Sequence, residues 1–135
     1  MKTKTLNPKT ELLLGAGLNI LHFESREWLE IIAFWKDEVK FFDILLKKKE
    51  SSEKNNPQYE KMLRSLDKIH KDLFDDLEGS IVEHEKLLSR ILDGEKGISD
   101  NDYREKHRHI FLRMETFTSD FKNFKKVVFE YAKGL

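Results

Sequence analysis

The chain contains no cysteine. That absence removes disulfides, thiolate nucleophiles and sulfur-ligated metals together, and it suits a reducing compartment. Any metal would have to be held by histidine and carboxylate side chains. Net charge is also lacking: 25 basic and 25 acidic residues cancel although 37% of the chain is charged. No basic stripe follows one helix face, so no nucleic acid partner is expected. Long hydrophobic runs are missing too. The most apolar stretch, Leu12 to Phe23, falls short of the ~18 to 20 residues of a membrane helix, so no membrane partner is expected. Pro8 and Glu11 directly precede it and no clear small-x-small cleavage site follows, which argues against a signal peptide and for a cytoplasmic location. Nothing resembles a Gly-rich phosphate loop, a nucleophile with its base, or an HExxH motif.

What is present is amphipathic helix. The 135 residues fit a single helical-bundle domain over 1–135, with residues 1–20 as an N-terminal segment, either a short helix or partly disordered. The only two prolines, Pro8 and Pro57, each follow an Asn, the arrangement of an N-cap residue and a proline at the first helical position. Gly94 and Gly97 mark a loop, and Ser99 stands three residues before Asp102, a capping-box-like helix start. Three long helices are predicted, at about residues 23–50, 57–93 and 100–133, joined by polar loops at Ser51–Asn56 and Gly94–Ser99. Apolar residues recur every three or four positions in each: Leu21, Trp28, Ile31, Ile32, Trp35, Val39, Phe42, Leu45 and Leu46 in the first, Tyr59, Met62, Leu63, Leu66, Leu73, Leu77, Ile81, Leu88 and Ile91 in the second, Tyr103, Ile110, Phe111, Met114, Phe117, Phe121, Phe124 and Val128 in the third. The expected fold is an all-α, antiparallel up-down bundle of these three plus a short N-terminal segment. A break at Gly79-Ser80, or a short element from Pro8 to Leu21, would make it a four-helix bundle; a stripe that holds its phase across Gly79 favours one continuous second helix. Phe34 and Phe41 widen the first apolar arc beyond what one neighbour requires, which suggests a homo-oligomer or a partner helix.

Several polar residues fall where the core should be. Glu24 and Glu38 share a heptad column with Ile31 and Leu45, and His70 and His84 share one with Leu63 and Leu77. His107 lies one heptad before Met114, Lys125 falls beside Phe121 and Val128, and His109 points outward. Pivoting antiparallel helices about the two loops groups these residues into two layers. One holds Glu24, His84 and His107, with His22 within reach. The other holds Glu38 and His70 as a buried pair, with Lys125 nearby. Fourteen residues along one helix separate the layers by ~21 Å, too far for one dinuclear centre.

A carboxylate and two imidazoles meeting between helices form a ligand set suited to a single Zn, Fe, Mn or Cu ion, with His22 as a possible fourth ligand. The competing reading is a buried Glu–His network that fixes helix register. In the second layer Lys125 competes with any cation for Glu38. Trp28 and Trp35, one heptad apart, read as core anchors rather than a ligand platform. Lys47, Lys48 and Lys49 complement a helix C-terminus. Haem held by His107 with Met114 or another histidine has no attachment motif behind it.

The run Trp28 to Phe42, WLEIIAFWKDEVKFF, is similar to a stretch of small uncharacterised bacterial helical-bundle proteins whose first helix carries a Phe-Trp/Tyr-Lys-Asp-Glu signature. That resemblance covers one helix and implies no activity. The inward-facing histidines and carboxylates also resemble the layout of hemerythrin-like and ferritin-like bundles. Phe74 and Leu88, however, stand four residues after His70 and His84 where a hemerythrin-like partner would be, and no Glu-x-x-His occurs. The resemblance therefore extends to a mononuclear site and not to a dinuclear iron centre. The expected role is metal binding or redox; the alternative is a non-catalytic structural or interaction protein.

Overall fold

A computed structural model describes residues 17–134. Helix α1 spans Leu18–Lys47, the one-turn α2 Glu50–Glu53, α3 Pro57–His70, α4 Glu78–Leu92 and α5 Asp100–Lys133. Between α3 and α4 the chain stays helical but widens into a π-helical stretch, Lys71–Leu77. Among the described residues the result is an all-α bundle of three rods: α1, the continuous α3–π–α4, and α5.

Helix α1 starts earlier than the periodicity suggested, so residues 18–20 belong to it and not to a separate N-terminal segment. The start expected at Pro8 lies outside the described residues. At its other end the connection read as a polar loop contains the single turn α2. The start of α3 follows from local chemistry: Asn56 accepts a hydrogen bond from the Gln58 amide at 2.9 Å, and Pro57 sits where a missing N–H costs nothing. Ser99 does the same for α5, its hydroxyl oxygen accepting from the Asp102 amide at 2.9 Å.

Side-chain pairs give the directions. His22 meets Glu85, Lys36 meets Glu78 and Asp43 meets His70, so numbers fall on the second rod as they rise on α1. His107 with His84 and Arg113 with Asp76 show the same relation between α5 and the second rod. Both outer rods are therefore antiparallel to the middle one and parallel to each other. Large rings bridge α1 and α5, with Trp35 against Phe117 at 4.8 Å and Phe42 against Phe124 at 5.5 Å. Trp28 and Trp35 are both core residues, as expected of anchors.

The second rod is continuous through Gly79, but its α-helical period is not. The Glu78 amide bonds to the carbonyl of Leu73, five residues back, and the wider turn absorbs about one extra residue, roughly 100° of rotation. Before it the buried positions are Tyr59, Met62, Leu66 and Ile69; within it they are Leu73 and Leu77, and after it Ile81, His84 and Leu88. The heptad column that carries Met62 and Ile69 thus resumes at Leu77 and His84. His70, which an unbroken α-helix would align with His84, is turned to the rim and half-buried.

The rod ends where Gly94 adopts a left-handed φ of 78°. Its amide bonds to the Ile91 carbonyl and the Glu95 amide to the Arg90 carbonyl, satisfying the last turn. An added Cβ at Gly94 would meet nothing within 4 Å, so the penalty for a side chain there is purely conformational. Gly94→Ala is expected to lower stability by roughly 1 to 2 kcal/mol in chemical denaturation; an unchanged midpoint would mean the loop relaxes out of this geometry.

Candidate functional site

The first polar layer lies where α1, α4 and α5 meet. His107 occupies its centre. Its Nε2 is 3.0 Å from Glu24 Oε1, and its Nδ1 is 3.0 Å from His84 Nε2. His107 and His84 are 1% and 2% exposed, and the Glu24 side chain is mostly buried. The helix phases explain the meeting: His84 follows Leu77 and Ile81 on the buried stripe of α4, and His107 precedes Ile110 and Met114 on that of α5.

Hydrogen-bond chemistry orders the protons. Glu24, as a carboxylate, accepts from the Nε2–H of His107, leaving His107 Nδ1 to accept from the Nε2–H of His84. His84 then carries a lone pair on Nδ1, which is buried and has no hydrogen-bond partner among the described residues. Both rings are clamped by aromatic faces, His107 by Trp28 at 4.5 Å and His84 by Tyr103 at 4.0 Å with planes 3° apart. Burial, then the neighbouring His107 and Lys106, pushes the His84 pKa down to about 3, so the ring is neutral at neutral pH.

The three residues expected to form one site are therefore brought together, in a particular order. Glu24 and His84 occupy opposite nitrogens of His107, making a chain of donors and acceptors rather than a ring about one point; no group of three or more His, Asp or Glu among the described residues could hold an ion. His22 is not part of the chain. Its Nδ1 pairs instead with Glu85 Oε1 on α4.

Beside the chain lies a second polar group that the periodicity did not reveal. Ser25 and Tyr103 are fully buried, and Ser25 Oγ, Tyr103 Oη and Glu85 Oε2 have no hydrogen-bond partner among the described residues. Ser25 and Glu85 nonetheless both act on the Tyr103 phenol, which burial first and the Glu85 charge second push upward. By residue type Tyr103 belongs to the apolar stripe of α5, and periodicity gives its hydroxyl no signal. Ser25 did carry a signal: it heads the heptad column Ile32, Val39, Leu46, all buried, where a hydroxyl is out of place.

The second layer divides into two pairs. Lys125 reaches both oxygens of Glu38, at 3.0 and 3.3 Å, with its ammonium 4.8 Å from the centre of the Phe121 ring. His70 does not join them as expected; its Nε2 is 2.8 Å from Asp43 Oδ2 and its ring stacks on Phe74. The pivot register assumed 100° per residue through Lys71–Leu77, and the π turn withdraws that rotation. Both pairs are only partly buried, so this layer is a solvent-accessible rim and not a core site.

No protein-family model, curated protein or solved structure matches the chain. Among the described residues no helix is long and apolar enough to cross a membrane.

The depressed pKa of His84 makes a signed prediction. Unfolded His84 takes up a proton near pH 6.5, whereas the folded ring resists until about pH 3. The unfolded state therefore binds more protons across that window, and stability falls as pH drops through it, by an amount on the order of a few kcal/mol. Equilibrium unfolding from pH 7.5 to 4 should show this slope in wild type and a shallower one in His84→Phe. Equal slopes would assign the acid sensitivity to other groups.

Proposed function

We propose that this bundle binds a single transition metal ion, of the Zn, Fe, Mn or Cu class, at the His84–His107 pair. The observation that carries the reading is two buried imidazole nitrogens 3.0 Å apart, one belonging to a ring that Glu24 holds from behind. A carboxylate on the far nitrogen fixes the ligating tautomer and raises ligand basicity. Because His84 is held neutral, its Nε2 becomes a ligand when the ring's one proton moves to Nδ1, so binding at neutral pH requires a change of tautomer and no imidazolium deprotonation. Coordination by Glu24 as well would require the His107 ring to turn over.

The incompletely bonded polar atoms beside the pair support a ligand site over a purely register-setting network. Buried polar groups whose only task is architectural are normally fully paired. Here Ser25 Oγ, His84 Nδ1, Glu85 Oε2 and Tyr103 Oη all lack a well-formed hydrogen bond to a described residue, although Ser25 and Glu85 both lie close enough to act on the Tyr103 phenol. They supply oxygen and nitrogen donors of the kind that suits these metals.

A second reading is favoured by one observation: both nitrogens of His107 already have protein partners. On that reading the chain sets helix register and the protein is a non-catalytic structural or interaction module.

Titrating Zn²⁺ or Fe²⁺ into metal-free, untagged protein separates the two. Metal binding at 100 times Kd adds roughly 2.7 kcal/mol and raises the melting temperature. The stabilisation should vanish in His84→Ala and persist in His109→Ala, whose side chain is exposed. An unshifted wild-type melt, or an equal response in the His84 variant, overturns the metal assignment.

A further inference from the structure

Between the middle rod and α5 runs a cleft of about 680 Å³, a volume ordinary for small-ligand sites. His84 is the buried polar residue of its lining, a ring only 2% exposed. Most of the charges around it are already engaged. Arg113 holds Asp76 at 2.8 Å and Ser80 at 3.0 Å, Arg90 holds Glu95 at 2.6 Å, and Glu83 turns outward to Lys86, 3.4 Å away. Asp75, Lys106 and His109 make no hydrogen bond or ion pair with a described residue. Their places differ. Asp75 lies nine residues before His84 on the middle rod, ~13 Å away, whereas Lys106 alone among the lining charges acts on the His84 ring. The free charge at the His84 end is therefore positive.

The proton order of the polar chain decides what this end can take. Glu24 accepts from His107, His107 accepts from His84, and His84 is left with a lone pair on Nδ1, buried and without a partner. An anion with no hydrogen of its own sets a bare oxygen against that lone pair, and a cationic donor is repelled by Lys106. We propose that the His84 end of the cleft binds a proton-bearing inorganic oxyanion, hydrogenphosphate or bicarbonate, whose O–H donates to His84 Nδ1 and whose charged oxygens accept from Lys106. His109, three residues on along α5, lines the same cleft as a further donor. The proton stays on the ion, because the buried ring resists protonation down to about pH 3. Sulfate lacks the O–H at neutral pH, and a phosphate monoester loses its last proton near pH ~6, so neither satisfies Nδ1. The inference concerns the metal-free chain and is independent of the metal assignment, in which the ring proton moves to Nδ1.

Isothermal titration calorimetry on the full chain, freed of metal on a chelating resin and held at about pH 7.5 and constant ionic strength, tests it. Inorganic phosphate or bicarbonate should bind, the tighter of the two identifying the ion. Sulfate and methyl phosphate should bind about tenfold or more weakly, since neither brings the O–H. Lys106→Gln, at an exposed position, should lower the affinity by about tenfold or more and leave the melt of the ion-free protein unchanged. In the imidazole nitrogen NMR spectrum, the Nδ1 resonance of His84 should move on adding the ion and remain that of an unprotonated nitrogen. Failure of both ions to bind overturns the inference. So does sulfate or methyl phosphate bound as tightly as the proton-bearing ion, which would mean a cationic surface only. Affinity undiminished in Lys106→Gln, or an unmoved Nδ1 resonance, overturns it as well.

Discussion

Rotation of the middle rod governs what the bundle can bury. A straight α-helix presents one stripe, and two neighbours packed along 36 residues, Pro57 to Leu92, require that stripe to stay under both of them. The π-helical stretch is where the chain makes the correction. Leu73, Leu77 and Ile81, almost completely buried, follow one another at four-residue steps through and beyond it, and each contributes roughly 1.5 to 3 kcal/mol by leaving water. That burial holds a wider turn that an isolated helix would not favour. The same rotation aims His84 at His107 and moves His70 to the rim.

The polar chain that results is costly to leave incomplete. His107 is satisfied on both nitrogens and clamped by Trp28, so its orientation is set three times over. His84 is satisfied on one side only, and an imidazole held neutral in the core is the member of the network with capacity left over. The opposite end of the bundle shows the contrast. There Tyr59 donates to the Leu46 carbonyl and Tyr131 to Glu53, both at 2.5 Å, so these phenols are fully used in joining rods. The two ends thus employ the same kind of buried tyrosine in different ways, and among the described residues the incompletely bonded groups gather at the histidine end.

Features encoded locally were legible in the sequence. The caps Asn56-Pro57 and Ser99 need only residues two or three positions away, and both helices begin where those residues place them. The convergence of Glu24, His84 and His107 was legible because all three lie beyond the π turn or on other rods, where a constant period holds. The expected Glu38–His70 pair failed for the complementary reason: His70 lies on the near side of the turn, and the segment KDLFDDL has the composition of ordinary amphipathic helix. A π turn imposed by packing on both flanks leaves no signature of its own in so short a segment. Ser25 and Tyr103 were missed because a stripe is scored by residue type, whereas their roles depend on single hydroxyl groups.

The parallel relation of α1 and α5 has a consequence for synthesis on the ribosome. These rods touch through partners far apart in sequence, such as Glu24 with His107 and Glu38 with Lys125, and α5 is the last of the three to emerge. Until it does, α1 and the middle rod can form only a two-rod hairpin, with His84 and the rings of Trp28, Trp35 and Phe42 uncovered on one side. Such an intermediate is sticky rather than stable. Closure is therefore a late event, and the final 34-residue helix serves as the lock of a vectorial assembly: a nascent chain stalled before Asp100 would present its aromatic side to chaperones, with neither a sealed core nor a completed histidine pair.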